Sequence, residues 1–97
     1  MPSNADLGRA LRGLRKARHL SIESLAFSAG MHPTYLSGIE RGVRNPTWQK
    51  VCLLAAALDV TVAELVVRAE SAERVRMGME RVLSDEHDRH AAGQGAP

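Results

Sequence analysis

The sequence predicts an all-α fold of five short helices, and three observations predict it. Apolar residues recur at helical spacing in successive short stretches, capping residues and Gly or Pro separate those stretches, and no sustained period-two alternation marks a strand. Ninety-seven residues bound the chain to one domain with a core too small to enclose a large buried active site. A multidomain enzyme is excluded.

Leu7, Ala10, Leu11 and Leu14 fall at i, i+3, i+4 and i+7, the stripe of an amphipathic helix expected from about Asp6 to about Arg18. Arg9, Arg12 and Lys16 decorate its other sides and read as a solvated face. Ser21 stands where an N-cap belongs, ahead of a two-turn helix with Leu25, Ala26 and Ala29 inward and Gly30 as its stop. Pro33 suits the first position of a third helix because its missing N–H is unneeded there. Leu36 and Ile39 then face inward, and Gly42 ends it. Asn45-Pro46 breaks the chain again, and Thr47 offers an N-cap to a fourth helix through Val51, Leu54, Ala55 and Leu58, ending near Asp59. Thr61-Val62-Ala63-Glu64 fits a capping box at the head of a fifth helix through Leu65 and Val66. Beyond it Ala72, Val75, Met79, Val82 and Leu83 line one side of an additional C-terminal helix, a seam for its own core or for a second chain. From Ser84 the chain is polar and rich in Gly and Ala, with too little apolar content to offset the entropy of ordering it, so a flexible tail is expected.

Charge is unevenly placed. Residues 1–50 carry eight Lys/Arg against three acids, and the remainder five against eight, so the first half is suited to a polyanion and the second is not. Phe27, Tyr35 and Trp48 are the only aromatics, too few for the stacking platforms that hold single strands, which makes duplex DNA the better partner. A lone cysteine, Cys52, cannot close an intramolecular disulfide, and it sits among Leu54 and Ala55 without the His and acid of a nucleophile, as a packing residue. No apolar run approaches the roughly 20 residues of a membrane span, and no signal-peptide core precedes the first helix. The expectation is a cytoplasmic protein without membrane, cofactor or metal. His87 and His90 lie in a tail too loose to hold a coordination sphere, and Met77 and Met79 read as surface and seam rather than as ligands.

The stretch Leu20–Thr47, LSIESLAFSAGMHPTYLSGIERGVRNPT, places two short helices around a tight turn at Gly30-Met31-His32, a helix-turn-helix. With its L-S-x-E-x-L-A opening, its Y-L-S-x-I-E-R-G second helix and its R-N-P exit, it resembles the phage-repressor and Cro-like family, often called the Xre family, over roughly residues 7 to 67. The resemblance implies a five-helix lambda-repressor-like DNA-binding bundle over residues 5–69, followed by the C-terminal amphipathic helix at 70–83 and the tail at 84–97. It also implies that the third helix, about residues 33–41, lies in the major groove.

On that resemblance the base-facing positions are Pro33, Thr34, Ser37 and Gly38, with Arg44 reaching a groove. Pro33 and Gly38 bring no side-chain donor and Thr34 brings one hydroxyl and one methyl, so direct readout is thin. DNA shape and half-site spacing then carry part of the selectivity. Phosphate contacts fall to Ser21, Tyr35, Arg41, Asn45 and Lys50. The Tyr35 ring divides its role between core and phosphate, and His32 reads as a mediocre N-cap rather than a base reader. Ile22 stands where the family commonly has a glutamine that reaches a phosphate, and Arg15 with Glu40 resembles a pair tying the first helix to the third.

These positions imply a transcriptional regulator acting as a homodimer through Val66, Val75, Met79 and Val82, because one module of this size buries too little surface to select a site. The alternative is an antitoxin of the same fold that binds a protein toxin through the C-terminal helix. An enzyme is disfavoured, since the sequence offers no carboxylate pair, nucleophile with base or Gly-rich phosphate loop.

Overall fold

A computed structural model describes the backbone of residues 1–95 and the side chains of residues 1–86. Five helices follow in order: α1 (Asn4–Ala17), α2 (Ile22–Ala29), α3 (Pro33–Glu40), α4 (Trp48–Ala57) and α5 (Val62–Gly95). Ser21, His32 and Thr47 cap α2, α3 and α4, each accepting a first-turn amide through its side chain. Helix α1 starts two residues before the expected Asp6. The capping box lies at its head, where the Asp6 amide donates to Ser3 Oγ and the Ser3 amide donates to the Asp6 carboxylate at 2.8 Å. At Thr61 the hydroxyl half of the expected box is present, the Glu64 amide donating to Oγ1 at 3.0 Å.

Leu11, Leu25, Leu36, Ile39, Leu54, Leu58 and Leu65 are the largest fully buried apolar side chains, at least one from each helix with Leu58 at the C-cap of α4, so a single core joins all five. Burying each stabilises the fold by roughly 2 kcal/mol before entropy is charged. Helix α1 lies directly against the end of α3. A Cβ on Gly8 would run into the Ile39 and Glu40 carbonyl oxygens, so only glycine permits that approach. At the turn into α3, Gly30 takes φ 70° and the Met31 and Gly30 amides reach back to the Ala26 and Phe27 carbonyls at 2.9 and 3.2 Å. This Schellman closure sets the angle between α2 and α3.

The C-terminal region departs from expectation. Residues 62–95 form one helix, with no break near residue 70 and no stop at Leu83. Neither Gly nor Pro occurs between Thr61 and Gly78 to end it, and the helix stretches the molecule to 62 Å against 25 Å across. The expected tail over 84–97 is therefore helical as far as residue 95, while residues 96–97 and the His87 and His90 side chains lie outside the described residues.

Candidate nucleic-acid interface

Helices α2 and α3 set one open surface. Pro33, Thr34 and Ser37, from the leading half of α3, line a shallow hollow with Ile22 and Glu23 from the head of α2. Thr34 is exposed, and its amide donates to His32 Nδ1 at 3.1 Å, so His32 is indeed spent on capping. Ser21 is exposed, and its hydroxyl accepts the Ser24 amide and pairs with the Ser24 hydroxyl, both at 3.0 Å. Tyr35 is half-buried with its ring packed on the core.

Gly38 is the exception among the expected base-facing positions. It is buried, and a Cβ there would lie 2.6 Å from Arg44 Cγ, so Gly38 forms a floor for the Arg44 side chain. The amides of Val43 and Arg44 both donate to the Gly38 carbonyl, at 2.9 and 3.3 Å, which fixes the loop that carries Arg44. Arg41, Arg44 and Asn45 are exposed at the trailing end of α3, and Lys50 is half-buried in the first turn of α4. Among the described residues neither Arg41 nor Arg44 has an acid partner.

The Arg15–Glu40 pair forms as the resemblance implied. Nε and Nη2 of Arg15 donate to the two Glu40 oxygens at 2.8 and 3.0 Å, and Nη1 donates to the Leu20 carbonyl at 2.9 Å. Donating to the Glu40 carboxylate raises the Arg15 pKa above its ordinary value.

Two features escaped the sequence reading. Asp6 is fully buried and takes Nε and Nη2 of Arg76 at 3.0 and 3.1 Å, across 70 residues of chain. That arginine pulls the Asp6 pKa down to about 2. The second feature is Trp48, exposed at the head of α4, where it lines an apolar hollow of about 190 Å³ with Leu7, Val51, Leu65 and Val66. The four residues expected at a dimer contact are thereby divided. At about 100° per residue Val75 lies half a turn round α5 from Val66, whereas Met79 and Val82 share the side of Val75. All four are exposed.

The Helix-turn-helix family model matches residues 11–65. Control protein C.SmaI of Serratia marcescens is 39% identical over 62 residues, which are 64% of this chain and 74% of that protein. The crystal structure of the clp gene regulator ClgR from Corynebacterium glutamicum superposes with a TM-score of 0.86 at 25% identity, covering 90% of this chain and 93% of that one. SinR, a master regulator for biofilm formation solved in complex with DNA, superposes at 0.59 with 38% identity, covering 62% and 97%. The chain spans 44% of a longer Mycobacterium tuberculosis regulator and 40% of Bacillus subtilis SlrR. No helix among the described residues is long and apolar enough to cross a membrane.

Proposed function

Because the chain belongs to the helix-turn-helix family, whose Xre and Cro-like members are DNA-binding transcriptional regulators and not enzymes, we propose that it recognises a specific duplex sequence as a homodimer. Helix α3 lies lengthwise in the major groove, with Pro33, Thr34, Ser37 and Arg44 toward the base edges and Ser21, Tyr35, Arg41, Asn45 and Lys50 toward the phosphates. Thr34 is the best placed of these to meet a thymine methyl or a base acceptor. One observation carries the reading: Thr34 at the head of α3 is exposed beside an open hollow, and among the described residues the arginines that follow α3 have no carboxylate partner. That SinR, a relative at 38% identity, was solved in complex with DNA supports DNA as the partner.

The exposed Val75, Met79 and Val82 side of α5 supplies the contact to a second copy, and the division at residues 5–69 and 70–83 is one of function within a continuous chain. A two-fold pair doubles the contacts and adds a half-site spacing of about 34 Å per helical turn, which compensates for the few donors on α3. Selecting bound sites from a random duplex library at stated salt tests this directly. The expected result is a pair of related half-sites at fixed spacing; a selected pool indistinguishable from the input would overturn it. Sedimentation tests the dimer. A monomer that retains one specific protein partner on α5 would favour the antitoxin reading instead.

A further inference from the structure

We propose that Arg12 of α1, with Ser37 of α3 and Arg41 at the C-cap of α3, forms a binding hollow for one backbone phosphodiester of the duplex, so that α1 itself grips DNA. The inference rests on the reading that α3 meets duplex DNA, and it adds a contact from a helix that the helix-turn-helix geometry leaves outside the groove.

The position of Arg12 follows from how α1 packs. Gly8, Arg12 and Arg15 fall at i, i+4 and i+7, on one side of α1. Gly8 meets the Ile39 and Glu40 carbonyls, and Arg15 holds the Glu40 carboxylate, so this is the side that faces α3. Arg12 lies between them in the same stripe and is exposed, which puts it at the rim where α1 and α3 part. There it lines a hollow of about 240 Å³ with Arg15, Ile22, Ser37, Glu40 and Arg41, several times the roughly 30 Å³ share of one water.

Within that hollow the positive charge is unequally spent. The three bonds of Arg15 consume both Glu40 oxygens and the Leu20 carbonyl, so this pair is neutral toward an incoming ligand. Among the described residues Arg12 has no acid partner, and the Arg41 side chain makes only a long 3.4 Å contact from Nε to the Ser37 carbonyl. Two unneutralised guanidiniums on one hollow repel each other until an anion enters, and the planar fork of arginine suits the oxygens of phosphate. Ser37 lines this hollow and also the one beside Pro33 and Thr34, so the anion site adjoins the surface assigned to the bases. A phosphate at the edge of the groove occupies that relation to the base edges.

The test compares Arg12→Ala with Arg9→Ala, which removes the same charge from the α1 side that faces Arg68 of α5. On the full chain, Arg12→Ala is expected to weaken binding about five- to tenfold at 0.1 M salt. The loss should be equal on a selected site and on an unrelated duplex, and the slope of log K against log salt should fall by about one per subunit. Arg9→Ala should leave both quantities near those of the native chain. Matched thermal melting of the two variants separates a lost contact from a lost fold. Equal behaviour of the two variants, or an unchanged slope in Arg12→Ala, overturns the proposal while the DNA reading stands. Absence of salt-dependent duplex binding by the native chain overturns both. Replacing chloride by inorganic phosphate at constant ionic strength should weaken binding by the native chain more than by Arg12→Ala, because the free anion competes for the same guanidiniums. Equal weakening of the two would mean that Arg12 offers no phosphate site and would overturn the proposal.

Discussion

Toward the head of α1, Asp6 holds Arg76 of α5 through bonds of 3.0 and 3.1 Å, and toward its end Arg15 holds Glu40 of α3 through bonds of 2.8 and 3.0 Å. Both pairs are two-pronged, and both bury a carboxylate. They differ in what they join. The Arg15 pair closes a 25-residue span from α1 to the end of α3, and its arginine also donates to the Leu20 carbonyl, so it fixes the approach to α2 and the end of α3 to one side chain of α1. The Asp6 pair closes 70 residues and fixes only the direction in which α5 leaves the bundle. The proposed DNA surface is thus held by one clasp and the proposed self-association arm by another, which lets either be altered without the other.

Breaking the clasps in turn gives the largest expected effect. Arg15→Met strands the Glu40 carboxylate in the interior and should cost about 3 kcal/mol of unfolding free energy, read from urea denaturation. Arg15→Met with Glu40→Leu should recover most of that loss, since an apolar pair has no charge to desolvate. Arg76→Met should shift the urea midpoint less, because the Arg76 side chain is 28% exposed and water takes over part of its role. It should nevertheless weaken self-association, measured by sedimentation, while Arg15→Met loosens DNA binding first. Equal midpoint shifts, or the reverse assignment of the two losses, would dissolve the distinction between the clasps.

The Asp6 pair responds to acid. Asp6 has a pKa of about 2 in the folded chain against 3.8 for the ordinary group, because Arg76 and the Ser3 amide bind its charged form. The folded chain therefore holds its carboxylate longer than the unfolded one. The resulting stabilisation is complete above the ordinary value and is lost as pH falls from 3.8 toward 2. Asp6→Asn should flatten that stretch of the curve of urea midpoint against pH, and a steep fall persisting in Asp6→Asn would assign the acid sensitivity elsewhere.

On the DNA side the expected effects are smaller. Glu23 is an exposed acid on the hollow beside Pro33 and Thr34, facing the ligand with the wrong sign. Glu23→Gln should tighten binding about threefold on any duplex as repulsion is removed, measured by fluorescence anisotropy at 0.1 M salt. A loss confined to sites carrying one particular cytosine would instead mean that Glu23 reads its amine. Arg44→Ala discriminates in the same way: a uniform loss with a lower salt slope assigns the residue to phosphate, and a lost base preference at unchanged slope assigns it to the groove.

How much was legible follows from the range of each interaction. Ser21, Pro33, Thr47 and Gly30 announce helix ends because caps and stops act within four residues, and the structure has them where the spacing put them. The Ser3–Asp6 box has the same local signature and extends α1 backward. The two-residue difference arises because Asp at the third position is a less familiar partner than Glu or Gln. The unbroken α5 was also readable, from the lack of Gly and Pro between Thr61 and Gly78, as was the half-turn between Val66 and Val75. The Asp6–Arg76 pair was not. Nothing in spacing selects one of several arginines 70 residues away, and only the path of α5 against α1 brings them together. The covered Gly38 and the rim position of Arg12 were hidden for the same reason, since both depend on how a neighbouring chain segment lies.

The end of α1 offers the finest test of the comparison. His19 takes φ 56°, a left-handed conformation in which its amide and that of Leu20 reach back to the Lys16 and Arg15 carbonyls at 3.0 and 3.1 Å. Gly30 makes the corresponding closure of α2 without a Cβ, whereas His19 bears a penalty of about 1 kcal/mol. His19→Gly should therefore stabilise the native chain by about 0.5 kcal/mol after the added freedom of the unfolded state is counted. The Arg15 side chain donates to the Leu20 carbonyl and holds the same turn from outside, so the strain and the clasp act on one backbone. In an Arg15→Met background that restraint is gone, and the left-handed residue must be supported by the backbone bonds alone. His19→Gly should then stabilise more than it does in the native chain, a coupling that a double-mutant cycle in urea measures. Strict additivity would mean that Arg15 acts on α3 alone and leaves the turn before α2 to hold itself.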